Sequence, residues 1–175
     1  MNGNFRVALL TAMLTVVLGI GARADDRKEI GALYSRVAKA LRSDELEDLI
    51  SLLSHDFVYR DRKGQTYDRE QYRQKLKRNE DEDRKSADKW TTKDSTLVIR
   101  KLSITGNSSK ATADLRSTRQ LVKKGKTHVR LVRGVMTNDL TKTPDGWRLA
   151  SIHYSDFKFT LDGKPEPIMK VPQKK

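Results

Sequence analysis

The sequence predicts an α+β fold in which N-terminal helices pack in a curved antiparallel sheet of four to five strands, shaped as a cone-like α+β barrel. Apolar residues recur at helical spacing over residues 25–53, whereas they alternate as in β-strands over residues 93–159. The Pro-Asp-Gly turn at 144–146 joins the last two strands. Helices grouped before an antiparallel sheet are typical of the α+β class.

Residues 1–24 have the pattern of a secretory signal peptide. Arg6 precedes the apolar run VALLTAMLTVVLGI, and Ala22-Arg23-Ala24 forms a cleavage site of the small-x-small type. The apolar run is shorter than the roughly 20 residues of a spanning helix, which favours cleavage over an N-terminal anchor. We expect an exported protein, periplasmic or extracellular, with a mature chain that begins near Asp25 and has no membrane span.

The mature part of the chain should form one domain. Three helices are expected before the sheet: the first covers residues 25–43, and the second follows a cap at Ser43 or Asp44. Asp68 and Gln71 have the spacing of a capping box, which predicts the start of the third helix.

The turns set the expected register of the strands. A two-residue turn at 124–125 would pair Ala113 with Met136, and a change of alternation near Arg100-Lys101 predicts a β-bulge.

A three-residue loop in the last hairpin would pair Thr143 with Trp147, Met136 with Tyr154, and Gly134 with Asp156. We expect the domain to cover residues 25–160. The prolines and lysines of residues 161–175 predict an extended or disordered basic tail.

One face of this arrangement combines apolar and aromatic side chains with a few polar groups. Such a surface fits a ligand pocket, and it fits an ordinary core equally well. The residues expected to line the pocket are Tyr34, Val37, Tyr59, Tyr72, Leu115, Met136, Asn138, Ile152, Tyr154 and Asp156.

The composition is basic and contains no cysteine. The formal net charge is +13, which favours anionic partners. The candidate residues of a basic adaptor for an anionic polymer are Arg116, Arg119, Arg130 and Arg133. Acidic residues are interleaved with the basic ones, so specific nucleic-acid binding is not expected. The spacing of the three histidines predicts no metal site, and no cofactor is expected.

Three segments carry a family likeness: DELEDLISLLSHDFVYRD, the Gly64 turn into the helix at Tyr67-Asp68, and TKTPDGWRLASIHYS. Over roughly residues 26–160 the chain resembles the nuclear-transport-factor-two-like superfamily, and within it the SnoaL-like polyketide-cyclase and ketosteroid-isomerase-like domains. The resemblance implies a cone-shaped fold and a homodimer through the outer face of the sheet. Families of this fold include isomerases, dehydratases, cyclases, transport factors and assembly modules, so the fold does not assign the function.

For an isomerase-type enzyme, the resemblance implies that Asp61 is the general base and that Asn138 stands where the family has an oxyanion-binding acid. The family's tyrosine on the first helix falls near Arg36-Val37, one turn from Tyr34. The alternative for Asp61 is a turn residue that hydrogen-bonds to the backbone.

Three functions therefore stay open. The favoured one is an exported domain that binds a small apolar or acidic molecule, or a partner, in its cone; the others are a SnoaL-type isomerase, dehydratase or cyclase and a basic adaptor. Asp61 buried opposite Asn138 would favour the enzyme. A cone filled by Met136, Tyr154 and Tyr72 would disfavour a pocket there, and arginines gathered in one stripe would favour the adaptor.

Overall fold

The computed structural model describes residues 4–43, 45–61, 63–86 and 88–166, with side chains from residue 24 onward. The helices are α1 (Asn4–Ser43), α2 (Leu46–Ser51) and α3 (Arg69–Lys85), and the strands are β1 (Leu53–Arg60), β2 (Thr66–Asp68), β3 (Thr91–Thr105), β4 (Ser108–Lys123), β5 (Lys126–Thr143), β6 (Gly146–Leu161) and β7 (Lys164–Glu166). None of the described helices has the length and apolar character that crossing a membrane requires.

The strands form one sheet in the order β2-β1-β6-β5-β4-β3, with β7 added on β6. The sheet curls around the helices without closing, since β2 and β3 are the two ends of this path. The α+β class is confirmed, but the expected count of four to five strands is wrong. The three-residue strands β2 and β7 are too short to show an alternating pattern, and β1 pairs β6 in parallel rather than antiparallel orientation.

Helix α1 supplies the helical side of the core. Its buried residues Ile30, Leu33, Tyr34, Val37 and Ala40 follow the three- and four-residue spacing of one helix face. This face packs against β3 and β6 on the concave side of the sheet.

The start of α3 is the capping box that the sequence predicts. Asp68 Oδ1 accepts from the backbone N–H of Gln71 at 2.8 Å, and Gln71 Oε1 accepts from the backbone N–H of Asp68 at 3.0 Å. Of the two expected caps of α2, Ser43 is the last residue of α1, and Asp44 lies outside the described residues. Helix α2 begins at Leu46, with Glu45 at its cap position and no side-chain capping bond.

The predicted register of β4 and β5 is confirmed. Ala113 pairs with Met136 across the two-residue turn, and the ladder runs without a shift from Ser108 to Lys123. The predicted bulge lies between Ile99 and Lys101 of β3.

The β5–β6 turn differs from the expectation by one residue. Thr143 pairs with Gly146, not with Trp147, because the loop has two residues. Gly146 adopts a φ of 101°, which a residue without Cβ tolerates. A shift between Thr137 and Leu140 then restores the expected register, so Met136 does face Tyr154.

A second irregularity lies farther along the same hairpin. Asp156 has a positive φ of 52° and stands outside the ladder, so the predicted pair of Gly134 with Asp156 is wrong. The ring of Phe157 occupies the space beside Gly134, where a Cβ would lie 3.2 Å from its carbons.

The structure describes the chain after β6 as far as residue 166. Asp162-Gly163 form a turn, and β7 returns along β6. The basic tail predicted for 161–175 thus begins as a hairpin, and residues 167–175 lie outside the described residues.

Asp26 ties helix α1 to the hairpin of β5 and β6. Its Oδ1 accepts from Lys142 Nζ at 2.6 Å and from the Trp147 indole N–H at 3.0 Å. The residue is 8% exposed. Residues 4–24, the larger part of the expected signal peptide, continue helix α1 on the other side of this contact.

Candidate functional site

Two of the residues expected to line the cone, Tyr34 and Asn138, bind each other. Tyr34 Oη donates to Asn138 Oδ1 at 2.7 Å, and Asn138 Nδ2 donates to the carbonyl of Ser151 at 3.0 Å. Tyr34 is 2% exposed and Asn138 1%. Both hydrogen-bonding ends of the amide are satisfied, so this position is a closed, polar part of the core.

Three further residues expected in the pocket, Val37, Met136 and Ile152, are buried in the core around this pair. Leu115 is half-buried on the same face of β4. Asp156 is exposed because the irregularity in β6 removes it from that face.

The predicted pocket tyrosines form an aromatic cluster. The ring centroid of Tyr59 lies 4.7 Å from that of Tyr72 and 6.2 Å from that of Tyr154. Burial raises the pKa of the Tyr34, Tyr72 and Tyr154 hydroxyls well above the ordinary value. These hydroxyls therefore stay protonated at neutral pH and act as neutral hydrogen-bonding groups.

Asp61 is held by its own turn. Its Oδ1 accepts from the backbone N–H groups of Lys63 at 2.9 Å and Gln65 at 3.0 Å, and its Oδ2 accepts from Tyr67 Oη at 3.3 Å. A general base would need a free carboxylate oxygen near the reacting proton. The contacts of Asp61 and those of Asn138 have no residue in common, so the structure does not join the two candidate catalytic groups in one network.

The four candidate arginines divide between the two faces of the sheet. Arg116 and Arg133 are paired across β4 and β5 and exposed on the outer face. Arg119 and Arg130 are paired on the concave face, where both contact Trp90. They do not form the single stripe that an adaptor built from all four would need.

A groove of about 770 Å³ opens between the helices and the end of the sheet. It lies where the end of α1, helices α2 and α3 and the start of β3 meet. Its apolar floor is formed by Ala40, Leu41, Leu46, Leu49, Leu76 and Trp90. Its charged rim is formed by Glu45, Glu80, Asp83, Arg84, Lys89 and Arg119.

Arg119 is the best-fixed charge of the groove. Its Nη2 donates to Asp83 Oδ2 at 3.1 Å and approaches the Trp90 carbonyl at 3.5 Å. Its Nε is buried and has no hydrogen-bond partner among the described residues. Leaving a buried donor without an acceptor costs free energy.

Trp90 is held by a cation–π contact with a residue of β5. The guanidinium carbon of Arg130 lies 4.4 Å from its ring centroid, within cation–π range. Arg130 is held in turn by two hydrogen bonds of 2.8 and 2.9 Å to the Glu166 carboxylate on β7. Strand β7 thereby helps to position Trp90 at the groove.

The remaining rim charges are partly paired. Arg84 forms an ion pair with Glu80 one turn before it. Lys89 and Glu45 have no ion-pair partner among the described residues. The described residues contain no cluster of three or more side chains that could hold a metal ion.

The sequence-based prediction missed this groove. Half of its lining residues lie in α2 and in the charged segment from 77 to 89, which has the composition of a solvated surface. The available signal was the apolar Leu76 and Trp90 at the two ends of that segment.

Comparison with solved structures agrees with this architecture. A conserved protein from Planctomyces limnophilus has a TM-score of 0.59 at 17% identity, over 74% of this chain and 94% of its own. A protein from Kribbella flavida has a TM-score of 0.58 at 21% identity, over 76% and 91%. A nuclear transport factor 2-like superfamily protein from Salmonella enterica has a TM-score of 0.56 at 19% identity, over 76% and 92%. At these identities the likeness shows the fold alone.

Comparison at the sequence level gives the family. No curated protein matches the chain. The family model of the SnoaL-like domain matches residues 22–153, which is most of the chain and includes every helix and strand from α2 to β5. The chain therefore belongs to the SnoaL-like domain family.

Proposed function

We propose that this protein is an exported binding domain that takes an anionic amphiphile, a molecule with an apolar chain and an acidic head, in the groove between its helices and sheet. The observation that carries this proposal is the size and lining of the groove. Its volume of about 770 Å³ is typical of small-molecule sites, which are concave and mostly apolar with a few oriented polar groups.

The apolar chain of the ligand would lie on the floor formed by Leu46, Leu76 and Trp90. Leu46 lies in α2, Leu76 in α3 and Trp90 directly before β3, so the ligand would bury apolar surface on two helices and at the edge of the sheet. Burial of that surface is the main source of binding free energy for such a ligand.

The acidic head would lie at Arg119. The side chain of this residue lines the groove and is 27% exposed, so its guanidinium can form a charge-assisted hydrogen bond with a carboxylate of the ligand. Lys89 lies on the same rim without a described ion-pair partner and would add attraction for an anion.

Calorimetric titration with decanoate, and with decan-1-ol as the uncharged comparison, tests this proposal. Leu76→Trp places an indole in the groove, so it should abolish binding of both probes. Val98→Trp adds the same side chain at a position that is 61% exposed on the outer face, and it should bind both probes as the parent does.

Arg119→Gln separates the two parts of the ligand. It should weaken decanoate binding by about tenfold and leave decan-1-ol binding within about twofold, since only the head meets the guanidinium. Equal affinity of the parent and Leu76→Trp for decanoate would contradict the proposal.

Export is the second part of the proposal, and it rests on the pattern of residues 1–24. Cleavage after Ala24 would leave the Asp26 contacts with Lys142 and Trp147 within the mature chain. Sequencing of the N-terminus of the protein from fractionated cells should give Asp25 as the first residue, in the periplasmic or extracellular fraction. An intact Met1 in the cytoplasmic fraction would contradict export.

A further inference from the structure

The outer face of the sheet carries three cations in one straight row across adjacent strands. Arg116 of β4 pairs with Arg133 of β5, and Arg133 pairs with Lys158 of β6. All three side chains are exposed. Paired residues of neighbouring strands point to the same face about 5 Å apart, so the three charges lie side by side.

No described acidic side chain forms an ion pair with any of the three. Asp114, the carboxylate two residues from Arg116 along β4, is bound instead to Arg100, with 2.5 Å between Arg100 Nε and Asp114 Oδ2. Like charges directly opposite each other on a sheet lower its stability. An anion bound along the row would remove that repulsion.

The rows on either side of these cations are different in character. One adjoining row contains one acidic and two uncharged residues, namely Asp114, Val135 and Ser155. The other adjoining row is uncharged and consists of Thr118, Leu131 and Thr160. The positive charge is therefore a line, not a broad field. A planar anionic surface such as a membrane would meet the Asp114 row as well.

Neither adjoining row contains an aromatic residue. Proteins that bind single-stranded nucleic acid stack its bases on aromatic side chains next to the basic groove. The outer face offers cations for a linear anion without such a stacking surface.

We propose that Arg116, Arg133 and Lys158, here termed the basic stripe, bind a linear acidic polysaccharide that carries carboxylate groups along its length. The chain of the polysaccharide would run across the strands, with successive carboxylates on successive cations. Arg119 lines the groove on the concave side, whereas the basic stripe lies on the convex side, so this site is separate from the proposed amphiphile site.

The test measures the affinity for polygalacturonate, with its methyl ester as the neutral comparison. The triple variant Arg116→Gln, Arg133→Gln, Lys158→Gln should lose at least about tenfold in affinity. The matched control is Lys63→Gln, Lys77→Gln, Arg78→Gln, which removes the same charge from exposed positions without a described ion pair. It should stay within about twofold of the parent.

Two further measurements complete the test. Arg133→Gln alone, the middle position, should weaken binding several-fold with an unchanged thermal midpoint, since the side chain is exposed. The affinity of the parent for polygalacturonate should fall as the NaCl concentration rises from about 50 to 300 mM, because salt screens the attraction between exposed charges.

Three outcomes would overturn the inference. Equal losses in the stripe and control variants would assign the binding to net charge alone. Binding of the methyl ester as tightly as of the acid would exclude recognition of the carboxylates. Tighter binding, dependent on the basic stripe, to poly(dT) or to phosphatidylglycerol vesicles would assign the stripe to a nucleic acid or a membrane.

Discussion

At the scale of single residues, the polar groups of the core hold distant parts of the chain together. Asp26 joins helix α1 to Lys142 and Trp147, more than 100 positions later. Tyr34 joins α1 to Asn138 of β5 over a similar separation. The sequence identified Asn138 as an inward-facing residue but did not identify its partner, because side-chain contacts between a helix and a distant strand leave no periodic signal.

Asp26 makes the free energy of unfolding of the domain dependent on pH in the acid range. Hydrogen bonds from Lys142 and Trp147 lower the pKa of its carboxyl below the ordinary value near 3.8. A carboxyl whose pKa is depressed by folding stabilises the folded state above the ordinary pKa, and this contribution is lost as the pH falls toward the folded value. Asp26→Asn should therefore lower the free energy of unfolding at pH 7, and the deficit should shrink below about pH 4.

Urea unfolding of the parent and Asp26→Asn between pH 7 and the acid range measures this difference. Asp94→Asn provides the control, because Asp94 is exposed on β3 and its side chain has no described hydrogen bond. A deficit of Asp26→Asn that is the same at every pH would show that its charge is not the stabilising feature.

The effects of substituting Tyr34 and Asn138 should be coupled, because the two side chains share a buried hydrogen bond. Tyr34→Phe leaves Asn138 Oδ1 without its described donor and should cost about 1–3 kcal/mol in the free energy of unfolding. Asn138→Leu alone should also destabilise the domain. The double variant should cost less than the sum of the two single variants, because the orphaned partner is then gone. Additive costs in urea unfolding would contradict a direct interaction.

At the scale of elements, local rules succeeded where the local residues decide the structure. The capping box at Asp68 and Gln71, the bulge at Arg100-Lys101 and the Lys-Gly turn before β5 were all predicted from neighbouring residues. The turn before β6 was predicted one residue too long, and the β-bulge that compensates for it has no distinct sequence pattern.

The capping box gives a prediction for α3, which carries part of the groove. Asp68→Ala removes the acceptor of the Gln71 N–H bond and should lower the free energy of unfolding by about 1 kcal/mol. Asp68→Ser keeps a capping oxygen and should retain most of the stability. Equal losses for the two variants in urea unfolding would mean that the cap does not stabilise the helix.

At the scale of the whole molecule, the curl of the sheet determines where the groove lies, which the sequence did not predict. Leu46, Leu76, Trp90 and Arg119 are spread over more than 70 positions and meet only in the folded chain, where Arg119 of β4 forms an ion pair with Asp83 of α3. The fold class followed from patterns within each segment, whereas the groove depends on distances between segments. For the same reason, four arginines that look alike in the sequence divide between two faces.

The outer face bears on the homodimer that the resemblance implies, which stays a prediction. A two-fold interface through this face would bring one surface against its own copy. The basic stripe would then lie close to a second basic stripe unless the axis offsets them. The charge of this face fits an acidic partner better than a second copy.

The most direct test of the central proposal is to map by NMR which backbone amides shift when decanoate is added. We predict shifts that cluster at residues 40–49, 76–84, 89–92 and 119, which surround the groove. The amides of the basic stripe and of the Asp61 turn should remain unchanged. Shifts concentrated at Tyr59, Asn138 and Tyr154, or on the outer face, with none at Leu76 or Arg119, would contradict the groove as the binding site.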